Sequence, residues 1–164
     1  MTRLVTDRLI LRAAQDTDLG PLFAIYGDAD AMKYWSSLPH KTIAETAKRL
    51  KHLKAPGPRL YFVVEYQSIA IGTAGIHEDD EIGFILHPAH WRRGLMQEAV
   101  AAIIAHTWAT TGLTQITADA DPDNAASVGF LTALGFQVTG STKNTYRIDG
   151  HWSDSVCFAL VRPA

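Results

Sequence analysis

The chain contains 164 residues, of which 47% are hydrophobic and 20% charged, a composition typical of a single globular domain over residues 1–164 rather than of a disordered chain. The formal net charge of -2 offers no overall attraction to a polyanion, which argues against nucleic acid as a partner. The single cysteine, Cys157, excludes an intramolecular disulfide framework and a zinc site built on cysteines. The sequence shows no signal-peptide pattern and no apolar run of membrane-spanning length. We therefore expect a cytoplasmic protein that does not enter a membrane.

The N-terminal third predicts a strand followed by two helices. Residues Leu9–Arg12 resemble the end of a strand, and the polar residues 15–18 can cap a helix whose apolar positions are Leu19, Leu22, Phe23 and Tyr26. A second helix is expected from Thr42, since Glu45 occupies the capping-box position three residues later. The breaker Ala55-Pro56-Gly57-Pro58 is expected to end this helix.

The middle of the chain predicts a meander of antiparallel strands and then the longest helix. The β-rich runs are Leu60–Tyr66, Ile69–Ile76 and residues 81–86, with short polar connections between them. The helix is expected to begin near Trp91 and to end before Gly112. Its apolar residues recur at helical spacing and are Leu95, Met96, Ala99, Val100, Ile103, Ile104 and Trp108.

The C-terminal third predicts a strand, a helix and three further strands. The first strand covers residues 115–118, and the helix is capped by Asp123 or Asn124, contains Gly129 as a weak point, and ends at Gly135. The remaining strands are expected at 136–139, 145–148 and 155–161, the last two joined through a turn at residues 149–150. The whole order is β-α-α-β-β-β-α-β-α-β-β, an α/β (α+β) fold with one mixed sheet and helices on its faces.

The transition from the strand at 81–86 to the longest helix has the chemistry of an anion site. A helix N-terminus leaves its first amides unpaired and carries the positive end of the helix dipole. Gly94 lets a phosphate approach the backbone, and Arg92 and Arg93 add positive charge, so a diphosphate is the natural guest. A solvated helix terminus explains the same residues, and the spacing is not that of a Walker P-loop.

Four segments, in this order, resemble the GNAT superfamily, and in particular its branch of ribosomal-protein N-terminal acetylases. They are TDRLILRAAQDTD, EIGFILHPAHWRRGLMQEA, NAASVGFLTALGF and IDGHWSDSVCFAL, and the resemblance covers nearly the whole chain. It implies a GNAT-like acyl-CoA N-acyltransferase fold. The implied activity is transfer of an acetyl group from acetyl-CoA to a primary amine, on a protein N-terminus or a small molecule, with no metal.

The resemblance also implies which residues hold the cosubstrate. In the family, two central parallel strands splay apart and pantetheine pairs with the end of the first strand, which here is Ile85, Leu86 and His87. The diphosphate rests on backbone amides of a glycine loop that maps to Arg92, Arg93, Gly94, Leu95 and Met96, with Gln97 adjoining. Family members usually have Gly or Ala in place of Met96. Asn124 maps to an asparagine that contacts the cofactor, although a simple helix cap explains it equally well.

The implied catalytic residues are Ser127 and Glu81. Many relatives carry a tyrosine, proposed to protonate the departing thiolate, where this chain has Leu131. In the ribosomal-protein branch the serine of an N-x-x-S motif is the proposed donor, which assigns that role to Ser127. Glu81 matches an acidic position common in the family and is the candidate base, with His87 as a second candidate. Purely structural explanations remain open, namely a buried serine and a solvated strand end.

Tyr34 and Trp35 lie where relatives build the acceptor side of the cleft, although Trp35 is also a good core residue. The acidic run at residues 77–80 either attracts a cationic amine or forms a solvated turn. The alternatives to an amine acetylase of this kind are a catalytically inactive acyl-CoA-binding or interaction module and an aminoglycoside acetylase. A monomer and a homodimer are both compatible with the sequence.

Overall fold

The computed structural model describes residues 2–55, 60–77 and 79–164. Within them the elements are β1 (Leu4–Val5), β2 (Leu9–Arg12), α1 (Leu19–Tyr26), α2 (Ile43–Lys54), β3 (Leu60–Tyr66), β4 (Ile69–Ile76), β5 (Ile82–Leu86), α3 (Leu95–Thr110), β6 (Gln115–Ala120), α4 (Ala125–Ala133), β7 (Gln137–Ile148) and β8 (His151–Val161). The predicted order is therefore confirmed as far as α4, with β1 added at the start and two strands instead of three after α4. The proposed breaker residues 56–58 and Glu78 of the acidic run lie outside the described residues.

The strands form two antiparallel sheets, ordered β1-β2-β3-β4-β5 and β6-β8-β7. The predicted single mixed sheet is thus divided, and the described part of the two sheets meets at an isolated parallel bridge between Glu81 and Thr117. Asp80 holds this junction: its carbonyl accepts a hydrogen bond from the Thr117 amide (3.1 Å) and its carboxylate accepts one from the Thr117 hydroxyl (2.8 Å). The positive φ of 70° at Asp80 turns the chain at this point. The strand β5 therefore begins only after Asp80, and it pairs with β4.

Helices cover both faces of the first sheet, which places β5 between two apolar clusters. The smaller cluster packs α1 and α2 against Ile85. The larger cluster packs α3 and α4 against the opposite face, where Leu86 and Phe84 lie. The predicted apolar face of α3 is buried as expected, apart from the partly buried Trp108. Burial of these side chains is the main favourable contribution to folding.

One predicted helix boundary and the predicted number of C-terminal strands are wrong. The longest helix begins at Leu95 rather than near Trp91, because a short 3-10 turn at Pro88–His90 and a left-handed Gly94 (φ 72°) come first. The three predicted C-terminal strands are two long ones, since β7 runs without interruption through residues 140–144 and β8 starts at His151. The residues of β7 are mostly polar and exposed, and its pairing with β8 contains two register shifts. The sequence of β7 therefore lacks the alternation of apolar and polar residues that predicts a strand. The turn at Asp149 (φ 50°) and Gly150 (φ 80°) is confirmed.

Candidate functional site

A gap opens between β5 and β6, which are the facing edge strands of the two sheets. An edge strand leaves every second backbone amide and carbonyl without a ladder partner. The end of β5 stays attached to β4, because the His87 amide donates to the Ile71 carbonyl (2.8 Å). The indole of Trp91 donates to the Leu86 carbonyl (2.9 Å), which ties the following loop to this strand end. The residues predicted to pair with pantetheine, Ile85, Leu86 and His87, therefore line the side of an open gap.

The N-terminus of α3 lies directly after this strand end. Arg92 (φ 58°) and Gly94 (φ 72°) both adopt left-handed backbone conformations. The Glu98 amide donates to the Gly94 carbonyl (3.1 Å), so the preceding amides of Leu95, Met96 and Gln97 have no partner within the helix. The loop therefore fits the diphosphate predicted to rest on its backbone.

The side chain of Met96, which departs from the family pattern, lies in the core and is only 8% exposed. The side chain of Leu95 is likewise buried, whereas Arg92, Arg93, Gly94 and Gln97 are exposed. A bulky residue at position 96 therefore extends away from the solvent side of the loop. Its presence is compatible with an anion bound to the amides.

Arg8 is a cation at this loop that the sequence analysis missed. Its Nη1 donates to the Arg93 carbonyl (2.9 Å), while its Nε pairs with the Glu98 carboxylate (2.6 Å). The side chain of Arg93 turns away toward Tyr66, whose hydroxyl accepts from it at 2.9 Å. No local pattern reveals Arg8, because it is 85 residues away from Arg93 in the sequence.

Asn124 and Ser127 form a closed pair at the start of α4. The Asn124 side-chain oxygen accepts from the Ser127 amide (3.2 Å), which makes Asn124 the N-cap of the helix. Its side-chain nitrogen donates to the Ser127 hydroxyl oxygen (2.9 Å). That bond leaves the hydroxyl hydrogen of the half-buried Ser127 available to another acceptor. The capping explanation is therefore confirmed, and a second role in orienting Ser127 is added.

The face of α4 that carries Ser127 packs toward β5. Phe130, one turn later, has its ring 4.8 Å from that of Phe84 on β5. Leu131 on the same side is completely buried in the large apolar cluster. A side chain at position 131 therefore serves packing in this protein and supplies no acid.

Glu81 lies at the point where the two sheets diverge. It is half-buried, and burial raises the pKa of its carboxyl, an effect that the nearby carboxylate of Asp119 strengthens. Asp119 itself was not identified from the sequence. Burial also raises the pKa of the Asp119 carboxyl, while the buried Ser155 hydroxyl approaches it and opposes the shift without meeting hydrogen-bond geometry. Two carboxyl groups that hold protons more tightly than usual thus lie close together.

A cleft lies beside these carboxyl groups. Its lining joins the segment after α1 to the ends of β6, β7 and β8, through Lys33, Tyr34, Trp35, Asp119, Asp121, Tyr146, Ile148, Ser153 and Asp154. Tyr34 and Trp35, which the sequence analysis places on the acceptor side, both line this cleft. Trp35 also packs on the smaller apolar cluster, with its ring 5.8 Å from that of Tyr26. Among the described residues of this lining, three aspartates outnumber the single cation Lys33, so the net charge of the cleft favours a cationic amine.

His87, the second candidate base, does not line this cleft. Its Nδ1 accepts a hydrogen bond from the Ala89 amide (3.1 Å), so this nitrogen caps the 3-10 turn. Among the described residues, no three His, Cys, Asp or Glu side chains are arranged to hold a metal ion. None of the helices in the described ranges combines the length and the apolar surface that crossing a bilayer requires.

Residues 8–137 match the protein family described as Acetyltransferase (GNAT) domain. The chain is 26% identical to the ribosomal protein uS5-alanine N-acetyltransferase of Escherichia coli (strain K12), over 98% of this chain and 91% of that protein. Its fold is similar to that of a GNAT-family acetyltransferase from Bacillus anthracis, with a TM-score of 0.87, 22% identity and 98% coverage of both chains. A spermidine N-acetyltransferase from Vibrio cholerae, solved with CoA and spermine, has a TM-score of 0.82 at 21% identity, covering 95% of this chain and 96% of that one.

Proposed function

The chain is an N-acetyltransferase that belongs to the GNAT acetyltransferase family, and we propose that it transfers the acetyl group of acetyl-CoA to a primary amine bound in the acidic cleft. The observation that carries this proposal is the left-handed Gly94 at the N-terminus of α3, next to the gap between β5 and β6. A diphosphate and an extended pantetheine arm need these two features side by side.

The amide groups of residues 92–96 would hold the diphosphate, with positive charge from Arg8 and Arg92 nearby. Acetyl-CoA supplies the acetyl group as an activated thioester. The edges of β5 and β6 offer backbone groups to the pantetheine arm, and Asn124 orients Ser127 at the start of α4. None of these roles requires a covalent bond between the enzyme and the acetyl group.

The carboxyl groups of Glu81 and Asp119 are the proposed proton acceptors. An amine enters the cleft as a cation, and it must lose a proton before it can attack a carbonyl carbon. A carboxyl group with a raised pKa takes up that proton more readily than an ordinary one, and the pair lies next to the cleft. Ser127 is the proposed proton donor to the departing sulfur, because its hydroxyl hydrogen is not used by Asn124.

The proteins to which the chain is similar suggest two kinds of acceptor amine. One relative acetylates an alanine of ribosomal protein uS5, and one structural neighbour was solved with spermine. Both kinds of amine are cations near neutral pH, and the aspartates of the cleft would attract them. A protein N-terminus and a small amine are therefore the acceptors to test first.

The test is isothermal titration of acetyl-CoA and CoA, followed by CoA thiol release with a panel of amines. Gly94→Trp should abolish binding, because the side chain enters the loop at a φ that disfavours it. Gly112→Trp is the matched control, since Gly112 is exposed and has no neighbour within 4 Å of an added Cβ. Absence of binding to the intact protein would refute the proposal. Binding without thiol release from any amine would instead support an inactive acyl-CoA-binding module.

A further inference from the structure

Beside the acidic cleft, Arg49 of α2 and Tyr61 of β3 are two polar residues that have no role so far. Arg49 projects from α2, and its guanidinium carbon is 5.6 Å from the ring centres of both Tyr26 and Trp35. It also lies close to the hydroxyl of Tyr61 on β3. This group, here called the Arg49 pocket, comprises Arg49, Tyr26, Trp35 and Tyr61.

Arg49 forms no ion pair with any described carboxylate, unlike Arg8 with Glu98 and Arg12 with Asp18. Its Nε is buried and has no hydrogen-bond partner among the described residues. Burial lowers the pKa of the guanidinium, but the phenols of Tyr26 and Tyr61 more than compensate, and the group stays charged. A half-buried cation without a carboxylate is uncommon, because such charges are normally paired.

Tyr61 adds a second donor without a partner. The residue is only 8% exposed, and its hydroxyl makes no hydrogen bond within the described part of the chain. Burial raises the pKa of this phenol, so it remains protonated and able to donate. The side chains of Tyr61 and Arg49 approach each other without reaching hydrogen-bond geometry, which leaves both donors open. Leaving such groups unpaired costs folding free energy.

The Arg49 pocket adjoins the proposed reaction centre. A Cβ at Gly83 would lie 3.3 Å from the Tyr61 hydroxyl, so this hydroxyl abuts β5 between Glu81 and Ile85. Trp35 belongs to both places, because it lines the acidic cleft and contacts Arg49. Trp35 therefore connects the lining of the acidic cleft to Arg49.

We propose that the Arg49 pocket binds a carboxylate of the acceptor, so that the acceptor is an amine that also carries a carboxylate. The two open donors, Arg49 Nε and Tyr61 Oη, match the two oxygens of one carboxylate. The ammonium group lies toward Asp119 and Asp121, and Trp35 packs between the two charged ends. This inference rests on the proposed function, because it names the class of acceptor for the same cleft.

The test compares matched probes that differ only in the carboxylate. These are glycine and glycinamide, β-alanine and β-alaninamide, and 4-aminobutyrate and 4-aminobutanamide. Binding is followed by NMR at the indole N–H of Trp35, assigned with a Trp35→Phe variant. At least one acid should bind about tenfold more tightly than its amide. The amides carry the larger positive charge, so attraction to the aspartates alone predicts the opposite order.

Substitutions of Arg49 and Tyr61 test whether these residues cause the preference for the acid over the amide. Arg49→Met keeps the side-chain length and should abolish the preference for the acid, whereas Arg49→Lys keeps the charge and should retain part of it. Tyr61→Phe should weaken acid binding and leave amide binding unchanged, and it carries the test if Arg49→Met lowers the melting temperature too far. Equal binding of acid and amide, no binding of either, or an undiminished preference in Arg49→Met would overturn the inference.

CoA thiol release with the same probe pairs separates this inference from the proposed function. A preference for acids in binding, without thiol release from any amine, would leave the carboxylate site standing and refute the acetyltransfer. Release with equal kcat/KM for acid and amide, and no preference in binding, would support the acetyltransfer and refute the carboxylate site.

Discussion

The Asn124 side chain has two separable tasks, and one pair of substitutions distinguishes them. Its oxygen caps α4 through the Ser127 amide, and its nitrogen holds the Ser127 hydroxyl. Asn124→Ala removes both contacts. Loss of an N-cap costs about 1 kcal/mol, which for a chain of this size lowers Tm by roughly 2–4 °C.

Asn124→Asp keeps the cap and reverses the other contact. A carboxylate caps a helix as well as an amide does and is favoured by the helix dipole, so Tm should stay close to that of the wild type. The new side chain cannot donate, and Ser127 must turn its hydroxyl hydrogen toward it. The proton is then withheld from the departing sulfur, and kcat should fall roughly 10²-fold, the low end for a positioned general acid.

Differential scanning fluorimetry and CoA thiol release measure the two effects independently. Ser127→Ala serves as the reference, and the double variant Asn124→Asp with Ser127→Ala should be no slower than Ser127→Ala alone, because both changes act on one hydroxyl. Wild-type kcat in Asn124→Asp would show that Ser127 is not the donor. A large loss of Tm in Asn124→Asp would show that the capping argument is wrong.

Three further substitutions test other parts of the structure. Glu81→Gln should raise Tm near pH 8 but not near pH 4, because a raised folded-state pKa lowers stability as the pH increases through it; an unchanged difference across pH would contradict this. Gly129→Ala should stabilise α4 by about 0.5–1 kcal/mol in urea denaturation, since nothing lies within 4 Å of the added Cβ, and a loss would disprove that. Leu131→Ala should cost about 2–5 kcal/mol in the same assay, because the side chain is fully buried, and a loss under 1 kcal/mol would refute its place in the core.

Local chemistry determined much of this protein from the sequence alone. The capping box of Thr42 and Glu45, the helical spacing of apolar residues on α3, and the turn at Asp149 and Gly150 were all predicted and are all present. Each depends on residues within a few positions of one another. The resemblance of four ordered segments to the GNAT family predicted the fold, and the family match over residues 8–137 agrees with it.

Contacts between distant residues were decided only by the tertiary structure. Arg8 reaches the loop before α3, Asp119 lies near Glu81, and Arg49 comes between Trp35 and the β3 residue Tyr61. The junction between the two sheets likewise depends on Asp80 and Thr117, which are 37 residues apart. No periodicity or spacing encodes such pairs, because they arise when whole strands and helices pack to bury their apolar faces. The polar groups that line the cleft and the Arg49 pocket take their neighbours from that packing.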